Sequence, residues 1–366
     1  MEPAGSPPPP RRRRLMLSVR VLMALVLLIG GGLGWALHRA RVQRDAVAAI
    51  VRAGGNVQYD WEVNPDGNPS GKAEPGYPSW LVQALGTDLF QVVTGIILIP
   101  RPGEEGTTDA VMPAIGRLDR VERLYLSGSG LTGAGLGQLR GLTRLRELDL
   151  DVPLGDADLA HLAGLTSLEV LEIRREGLGD RAMAHLKGLT RLRSLTLRKG
   201  RVTDSGLAHL AGLTGIDYLM IPENPITDAG LAQFRGMAGL KVLGVSGTQV
   251  STLEPIKHLT KLRRLFVGGT RVDDAGLAPV AGFPELFDLN LADLEITDAG
   301  LAHLRPLAKL DRLSLAKTRV TADGLLGLPV LGQCSRLDLR ETGITPEGLA
   351  ALRRAFPGAK VFGPDD

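Results

Sequence analysis

Residues 192–239 read Leu192-Arg-Ser-Leu-Thr-Leu-Arg-Lys-Gly-Arg-Val-Thr-Asp-Ser-Gly-Leu-Ala-His-Leu-Ala-Gly-Leu-Thr-Gly215, followed at once by Ile216-Asp-Tyr-Leu-Met-Ile-Pro-Glu-Asn-Pro-Ile-Thr-Asp-Ala-Gly-Leu-Ala-Gln-Phe-Arg-Gly-Met-Ala-Gly239. Each half is 24 residues long, and the apolar offsets coincide. Leu192, Leu195, Leu197, Val202, Leu207, Leu210 and Leu213 in the first are matched by Ile216, Leu219, Ile221, Ile226, Leu231, Phe234 and Met237 in the second. Both copies carry Thr-Asp-x-Gly-Leu-Ala before the second apolar cluster, at Thr203–Ala208 and Thr227–Ala232. Apolar residues at positions 4 and 6 alternate as in a strand, whereas those at 16 and 19 have helical spacing. A strand and a short helix repeated end to end predict a solenoid.

The register extends in both directions. Units begin at Val121, Leu145, Leu168, Leu192, Ile216, Leu240, Leu262, Leu286, Leu310 and Cys334, which makes ten units of 22–24 residues over residues 121–357. Val93, Ile96 and Leu98 read as a degenerate further unit. In the tail 358–366, Val361 and Phe362 read as a terminal half-strand. Each ordered residue costs about 1–2 kcal/mol of backbone entropy, and each buried apolar side chain returns about 2 kcal/mol. Seven such side chains cannot order 24 residues, so a unit folds only by stacking on its neighbours. Thr203, Thr227, Thr297 and Thr345 stand where a helix N-cap hydroxyl is needed. Asp204, Asp228 and Asp298 put negative charge in the first turn, and Pro346 occupies the first helical position. The unit Leu240–Lys261 is two residues short and reads Leu253-Glu-Pro-Ile-Lys-His-Leu on its helix side, so that side should be shortened and the arc should change curvature there.

The pattern Leu-x-x-Leu-x-Leu-x-x-Thr-x-Val-Thr-Asp-x-Gly-Leu-x-x-Leu resembles bacterial leucine-rich repeats of the type shared with the cysteine-containing repeats of F-box proteins. Leu262–Leu277 and Leu310–Leu325 carry it most fully, with the Asp displaced by one in the latter. The 22-residue unit looks more like an internalin repeat. This resemblance implies an α/β leucine-rich-repeat solenoid, a horseshoe with a parallel sheet on its concave side and short helices on its convex side. It further implies protein recognition. No F-box segment is recognisable, so ubiquitin-ligase function is not carried over.

Ahead of the repeats, residues 1–14 form a Pro- and Arg-rich tail expected to be disordered. Residues 15–37 read as a transmembrane signal anchor, with an unbroken apolar run from Val21 to Leu37. At about 1.5 Å per residue that run covers about 25 Å, and Leu15–Val19 bring the segment to the hydrocarbon thickness. A cleaved signal peptide is the competing reading, with a weak small-residue site at Gly32-Leu-Gly34. Five arginines precede the apolar run and three follow it, which places the N-terminus inside and the repeats outside the cytoplasm. Gly30 and Gly34 form a GxxxG pair through which two such helices could associate weakly as a homodimer, although a glycine-rich helix end gives the same pattern by chance.

Residues 38–120 fit the repeat poorly and are expected to cap the open end of the solenoid. Val42–Ala53 has helical spacing ending at Gly54-Gly55, Val57–Trp61 and Val92–Ile99 read as strands, Asn64–Pro69 as a turn, and Trp80–Leu85 as a helix behind Ser79.

Charge and motif content narrow the function classes. The pI of about 9.1 comes from residues 1–44, with eight arginines and one acid; against a whole-chain net of +3 the remainder carries −4. A slightly acidic body without a basic stripe is a poor nucleic-acid binder. Gly128-Ser-Gly-Leu-Thr-Gly133 spells GxGxxG, but the repeat register aligns Leu131 with Val202 and Gly133 with Asp204, so it reads as a glycine-rich repeat and no cofactor is expected. His161, His185, His209 and His303 fall in one column, which reads as helix surface and not as a metal site. Cys334, at repeat position 1, reads as a core thiol. No hydrolase elbow, P-loop or kinase signature is present, and an enzyme is not expected.

The strand face remains. Positions 3, 5 and 7 of each unit point away from the core. They are charged in early units (Glu147, Asp149, Asp151, Glu172, Arg174, Arg198), apolar in the middle (Tyr218, Met220, Pro222, Val242, Phe266) and polar again later (Asp288, Asn290, Arg312, Ser314, Arg336, Arg340). Apolar residues at solvent-facing positions of three consecutive units are unusual and suggest a partner surface; ordinary drift on a weakly constrained face is the competing reading. The expectation is a membrane-anchored interaction module that binds a protein or cell-surface polymer through Tyr218, Met220, Pro222, Val242 and Phe266. The alternatives are an envelope component without a specific ligand, or a cytoplasmic-side scaffold if the orientation is reversed.

Overall fold

The computed structural model describes residues 19–62, 80, 82, 86–99 and 108–363. The expected tail 1–14, the turn 64–69 and most of the helix expected at 80–85 lie outside them. One 13-stranded sheet runs in sequence order through the described chain. Its first strands are β1 (Asn56–Tyr59), β2 (Val93–Leu98), β3 (Arg123–Ser127), β4 (Glu147–Asp151), β5 (Val170–Ile173) and β6 (Ser194–Leu197). They are followed by β7 (Tyr218–Met220), β8 (Val242–Gly244), β9 (Arg264–Phe266), β10 (Asp288–Asn290), β11 (Arg312–Ser314), β12 (Arg336–Asp338) and β13 (Lys360–Phe362). β1 pairs antiparallel with β2, and every later pair is parallel.

The register of the sheet is that of the repeat. Leu265 pairs with Leu289, Leu289 with Leu313, Leu313 with Leu337 and Leu337 with Val361. Position-4 side chains thus stack directly on one another, and a continuous core extends from Ala46 to Val361. β2 joins β3 in this register, with Ile96 opposite Leu124, and β13 closes the far end, with Lys360 opposite Arg336. Strand pairing continues past the named ends, as in Glu223 N–H to Ser246 O at 2.8 Å and Lys317 N–H to Arg340 O at 2.9 Å. Position 8 then turns the chain out of the sheet: Lys199, Glu223, Asp293, Lys317 and Glu341 have φ between 40° and 58°. Gly247 and Gly269 hold the same column.

The Thr-Asp-x-Gly segment joins neighbouring coils. Thr227 caps its own helix by accepting from Ala229 N–H, while its N–H and hydroxyl donate to Asp204 of the preceding coil at 2.8 and 2.5 Å. Asp180 receives Thr203 in the same way, Asp274 receives Thr297, and Asp298 receives Thr321. The glycine of the motif makes room for this contact. A Cβ on Gly206, Gly230, Gly300 or Gly324 would run into the bridging carboxylate of the preceding coil. In the short unit Asp228 takes Ser251 instead, and the helix shrinks to a single turn, Glu254–Ile256. That shortening leaves an open notch of about 620 Å³ on the helix side, floored by Ala275, Ala278, Pro279 and Gly282.

At the N-terminal end a single helix, α1 (Val19–Arg52), replaces the two separate segments expected at 15–37 and 42–53. No glycine or proline interrupts His38–Arg41, so nothing breaks the helix there, and Gly54 at φ 80° ends it. Ala40, Ala46 and Ile50 are buried against the first coils, and Gln43 bonds the backbone of Gln91 and Val93. The upstream part is bare: Met23, Val26, Leu27, Leu28, Ile29, Leu33 and Trp35 are each more than half exposed. Residues 15–18 of the expected span lie outside the described residues, and among the described ones no helix is long and apolar enough to cross a membrane. A Cβ on Gly30 or Gly34 would meet nothing within 4 Å.

Candidate functional site on the strand face

Parallel register gathers most of the five residues singled out from the sequence. Tyr218 on β7 lies beside Val242 on β8, one row from Arg264 on β9. Met220 lies beside Gly244, which lies beside Phe266. Tyr218, Met220, Val242 and Phe266 are half-buried, and the position-4 leucines between them are fully buried. Gly244 was not singled out from the sequence, yet it shapes the site. A Cβ there would run into Met220 Sδ and Cε, so Met220 lies across the glycine toward the Phe266 row. The only sequence signal was a glycine at an outward position otherwise occupied by side chains. Pro222 sits at the edge of this strip beyond β7, where its carbonyl accepts from Lys199 N–H at 3.2 Å and Asn224 Nδ2 at 2.9 Å.

Charged residues flank the strip and differ on its two sides. Toward the N-terminal end, Arg174 grips Asp149 with Nε and Nη2 at 2.9 and 2.6 Å and reaches Glu172 at 3.1 Å. Tyr125 donates to Glu147 at 3.1 Å, and burial together with that carboxylate pushes the phenol up to about 12. Toward the C-terminal end, Asp338 is buried and held bidentately by Arg340 at 2.8 and 2.6 Å, which keeps its carboxyl below the usual range. Burial raises Asp288, against the opposing pull of Arg264 and Arg312 on either side. Arg336 and Lys360 both lie over the Phe362 ring, at 4.4 and 4.8 Å from its centroid. Arg263 and Arg264 face Phe287 similarly, at 5.8 and 5.2 Å. None of these cation–ring contacts was anticipated, because they depend on which side chains meet across coils.

Other residues weighed from the sequence have structural surroundings. Within the GxGxxG stretch, Thr132 caps the turn Gly133–Leu136 and bonds Asp109 through its N–H at 2.8 Å and hydroxyl at 2.6 Å. Thr132 therefore serves the same coil-to-coil link as the threonines elsewhere. His161 Nδ1 lies 2.6 Å from Arg140 Nη2, and among the described residues no group of three or more His, Cys, Asp or Glu could hold a metal ion. Cys334 is buried with its thiol on Leu310 O at 3.3 Å, and burial together with Asp311 pushes it up to about 12. A thiol so disposed is a poor nucleophile at neutral pH.

No protein-family model matches the sequence, and no curated protein matches it. Solved structures do resemble the fold. An internalin (inlF) from Listeria monocytogenes superposes with a TM-score of 0.56 at 21% identity, over 77% of this chain and 92% of that one. The Arabidopsis receptor kinase HAESA, solved in complex with the peptide hormone IDA and the co-receptor SERK1, superposes with a TM-score of 0.52 at 16% identity. That match covers 69% of this chain but only 42% of the receptor chain. At these identities the likeness establishes the leucine-rich-repeat solenoid and nothing finer.

Proposed function

We propose that this chain is a membrane-anchored interaction module whose solenoid binds a protein or cell-surface polymer on its strand face. The observation that carries the reading is the strip of Tyr218, Val242, Met220 and Phe266, which occupies outward positions on three adjacent strands. Within the strand the fold needs only positions 4 and 6 for its core, so it does not call for apolar side chains at 3 and 5. HAESA was solved with a peptide hormone and a co-receptor bound, which shows that a solenoid of this fold can serve as a recognition surface.

The anchoring part of the proposal rests on α1 and the sequence before it. Val26, Leu27, Leu28 and Ile29 are consecutive and all exposed, so this stretch is apolar around its whole circumference. A helix apolar on every side belongs in a protein core or a bilayer. The arginine distribution favours the repeats outside the cytoplasm, and the open faces of Gly30 and Gly34 would support weak self-association in the bilayer.

The test uses the full chain in its native membrane, with the triple variant Tyr218→Ser, Met220→Ser, Phe266→Ser beside wild type. Loss of captured envelope partners in the variant is expected, and unchanged capture counts against the strand-face site. A reporter fused to the C-terminus should be active on the outer side; a cytoplasmic signal would reverse the orientation.

A further inference from the structure

The chemistry of the partner can be narrowed, on the premise that the strand face is the docking surface. Position 3 carries Arg264 on β9, Arg312 on β11, Arg336 on β12 and Lys360 on β13, in register across the sheet. Neighbouring strands are about 4.8 Å apart, and like charges directly opposite one another repel. The fold does not demand cations here, because other coils place Val170, Ser194, Tyr218 and Val242 at the same position.

Local carboxylates neutralise this row only in part. Asp288 lies between Arg264 and Arg312, and Asp311 is 3.7 Å from Arg312. Asp338 is taken up by Arg340. Among the described residues, Arg336 and Lys360 form no ion pair with a carboxylate within 4 Å, and both are exposed. The row begins where the apolar strip ends, at Phe266 and Arg264 of the same strand.

We propose that the strand face takes an extended polypeptide segment with an aliphatic or aromatic anchor at one end and carboxylates at the other. The anchor rests on Met220, Val242 and Phe266, and the acids lie over Arg312, Arg336 and Lys360. From β8 to β13 the sheet spans about 24 Å, which an extended chain covers in about seven residues. A long polyanion such as nucleic acid fits less well, because its continuation would run onto Glu147, Asp149, Asp151 and Glu172, four carboxylates that Arg174 and Arg175 neutralise only in part. The charge gradient also sets direction, with the acidic end of the segment toward β13.

The test measures fluorescence anisotropy of a labelled probe peptide, Leu-Trp-Gly-Ser-Glu-Asp-Glu-Glu, against the full chain in detergent micelles. Controls are the same peptide with lysines for the acids and with glycines for Leu-Trp, and circular dichroism verifies each variant's fold. The acidic probe should bind at least about tenfold tighter than the lysine probe and weaken as salt rises. Arg312→Ser/Arg336→Ser/Lys360→Ser should weaken it about tenfold, and so should Met220→Ser/Phe266→Ser. Anchor-dependent binding that ignores the arginine and lysine changes would overturn the acidic-partner inference and leave the docking surface standing. No binding of the acidic probe would also overturn the inference, and loss of every anchor-dependent signal would count against the docking surface as well. A heparin fragment binding tighter than the probe, and indifferent to Met220→Ser/Phe266→Ser, would reassign the row to a polyanion and overturn it too.

Discussion

Asp204 holds Thr227 of the next coil by its N–H and its hydroxyl, in a space that Gly230 leaves open. Three residues of one motif therefore act as a unit, and their substitutions should not add. Asp204→Ala removes two charge-assisted hydrogen bonds and should cost about 2 kcal/mol. Gly230→Ala drives a methyl into the same carboxylate and should cost about as much. With the carboxylate gone the methyl meets only the side-chain ends of Ile226 and Leu207, at 2.7 and 3.1 Å, which must still shift, so the double variant should lose clearly less than the sum of roughly 4 kcal/mol. Urea unfolding of the four proteins measures this; additive losses would mean that the glycine serves some other purpose. The same residue-level logic explains the Thr-Asp pair better than capping alone. The sequence suggested a hydroxyl cap and a helix-dipole charge, and both are present, but the carboxylate's hydrogen bonds reach into the neighbouring coil.

At the scale of elements, the ends of the solenoid need covers that the repeat cannot supply. The C-terminal helix Pro346–Ala355 is the longest on the helix side, capped by Thr345 and anchored by buried Leu352. Phe356 and Val361 complete the layer over Leu337 and Leu339. A chain ending at Gly343 would leave that layer open to water and remove the outer of β12's two partners, making β12 the edge strand. It should bind an apolar dye such as ANS several-fold more strongly than the full chain and self-associate. Dye binding equal to that of the full chain would show that the last repeat seals itself. At the other end, residues 40–52 of α1 cover the first coils, and this continuity was hard to read in advance. An apolar run followed by an amphipathic stretch has the composition of two elements, and only the absence of a breaker at His38–Arg41 pointed to one helix.

For the molecule as a whole, each coil contacts mainly its two neighbours, so opening should proceed from the ends. Cys334 reports on this because it is a fully enclosed thiol near the C-terminal end, and it is the chain's one cysteine. Under native conditions it should react with a thiol reagent more than about tenfold faster than a cysteine placed centrally by Leu219→Cys in a Cys334→Ala background. Equal rates would mean that the solenoid opens as one cooperative body. The same linear architecture puts the mixed-charge and the cationic parts of the strand face on opposite sides of the apolar strip, separated by coils and not by loops.

The sequence by itself determined the solenoid, its register, the short unit at Leu240–Lys261 and the outward positions of Tyr218, Met220, Val242 and Phe266. These follow from period and offset, and in a parallel stack an offset of one repeat becomes a contact between neighbouring strands. Tertiary structure decided what those offsets could not carry. It laid Met220 over Gly244, tied Asp204 to Thr227, turned position 8 to positive φ and set Arg336 and Lys360 over the Phe362 ring. Each of these depends on side-chain direction and on the distance between coils. A periodic sequence says which residues become neighbours, and only the folded geometry says which atoms of those neighbours touch.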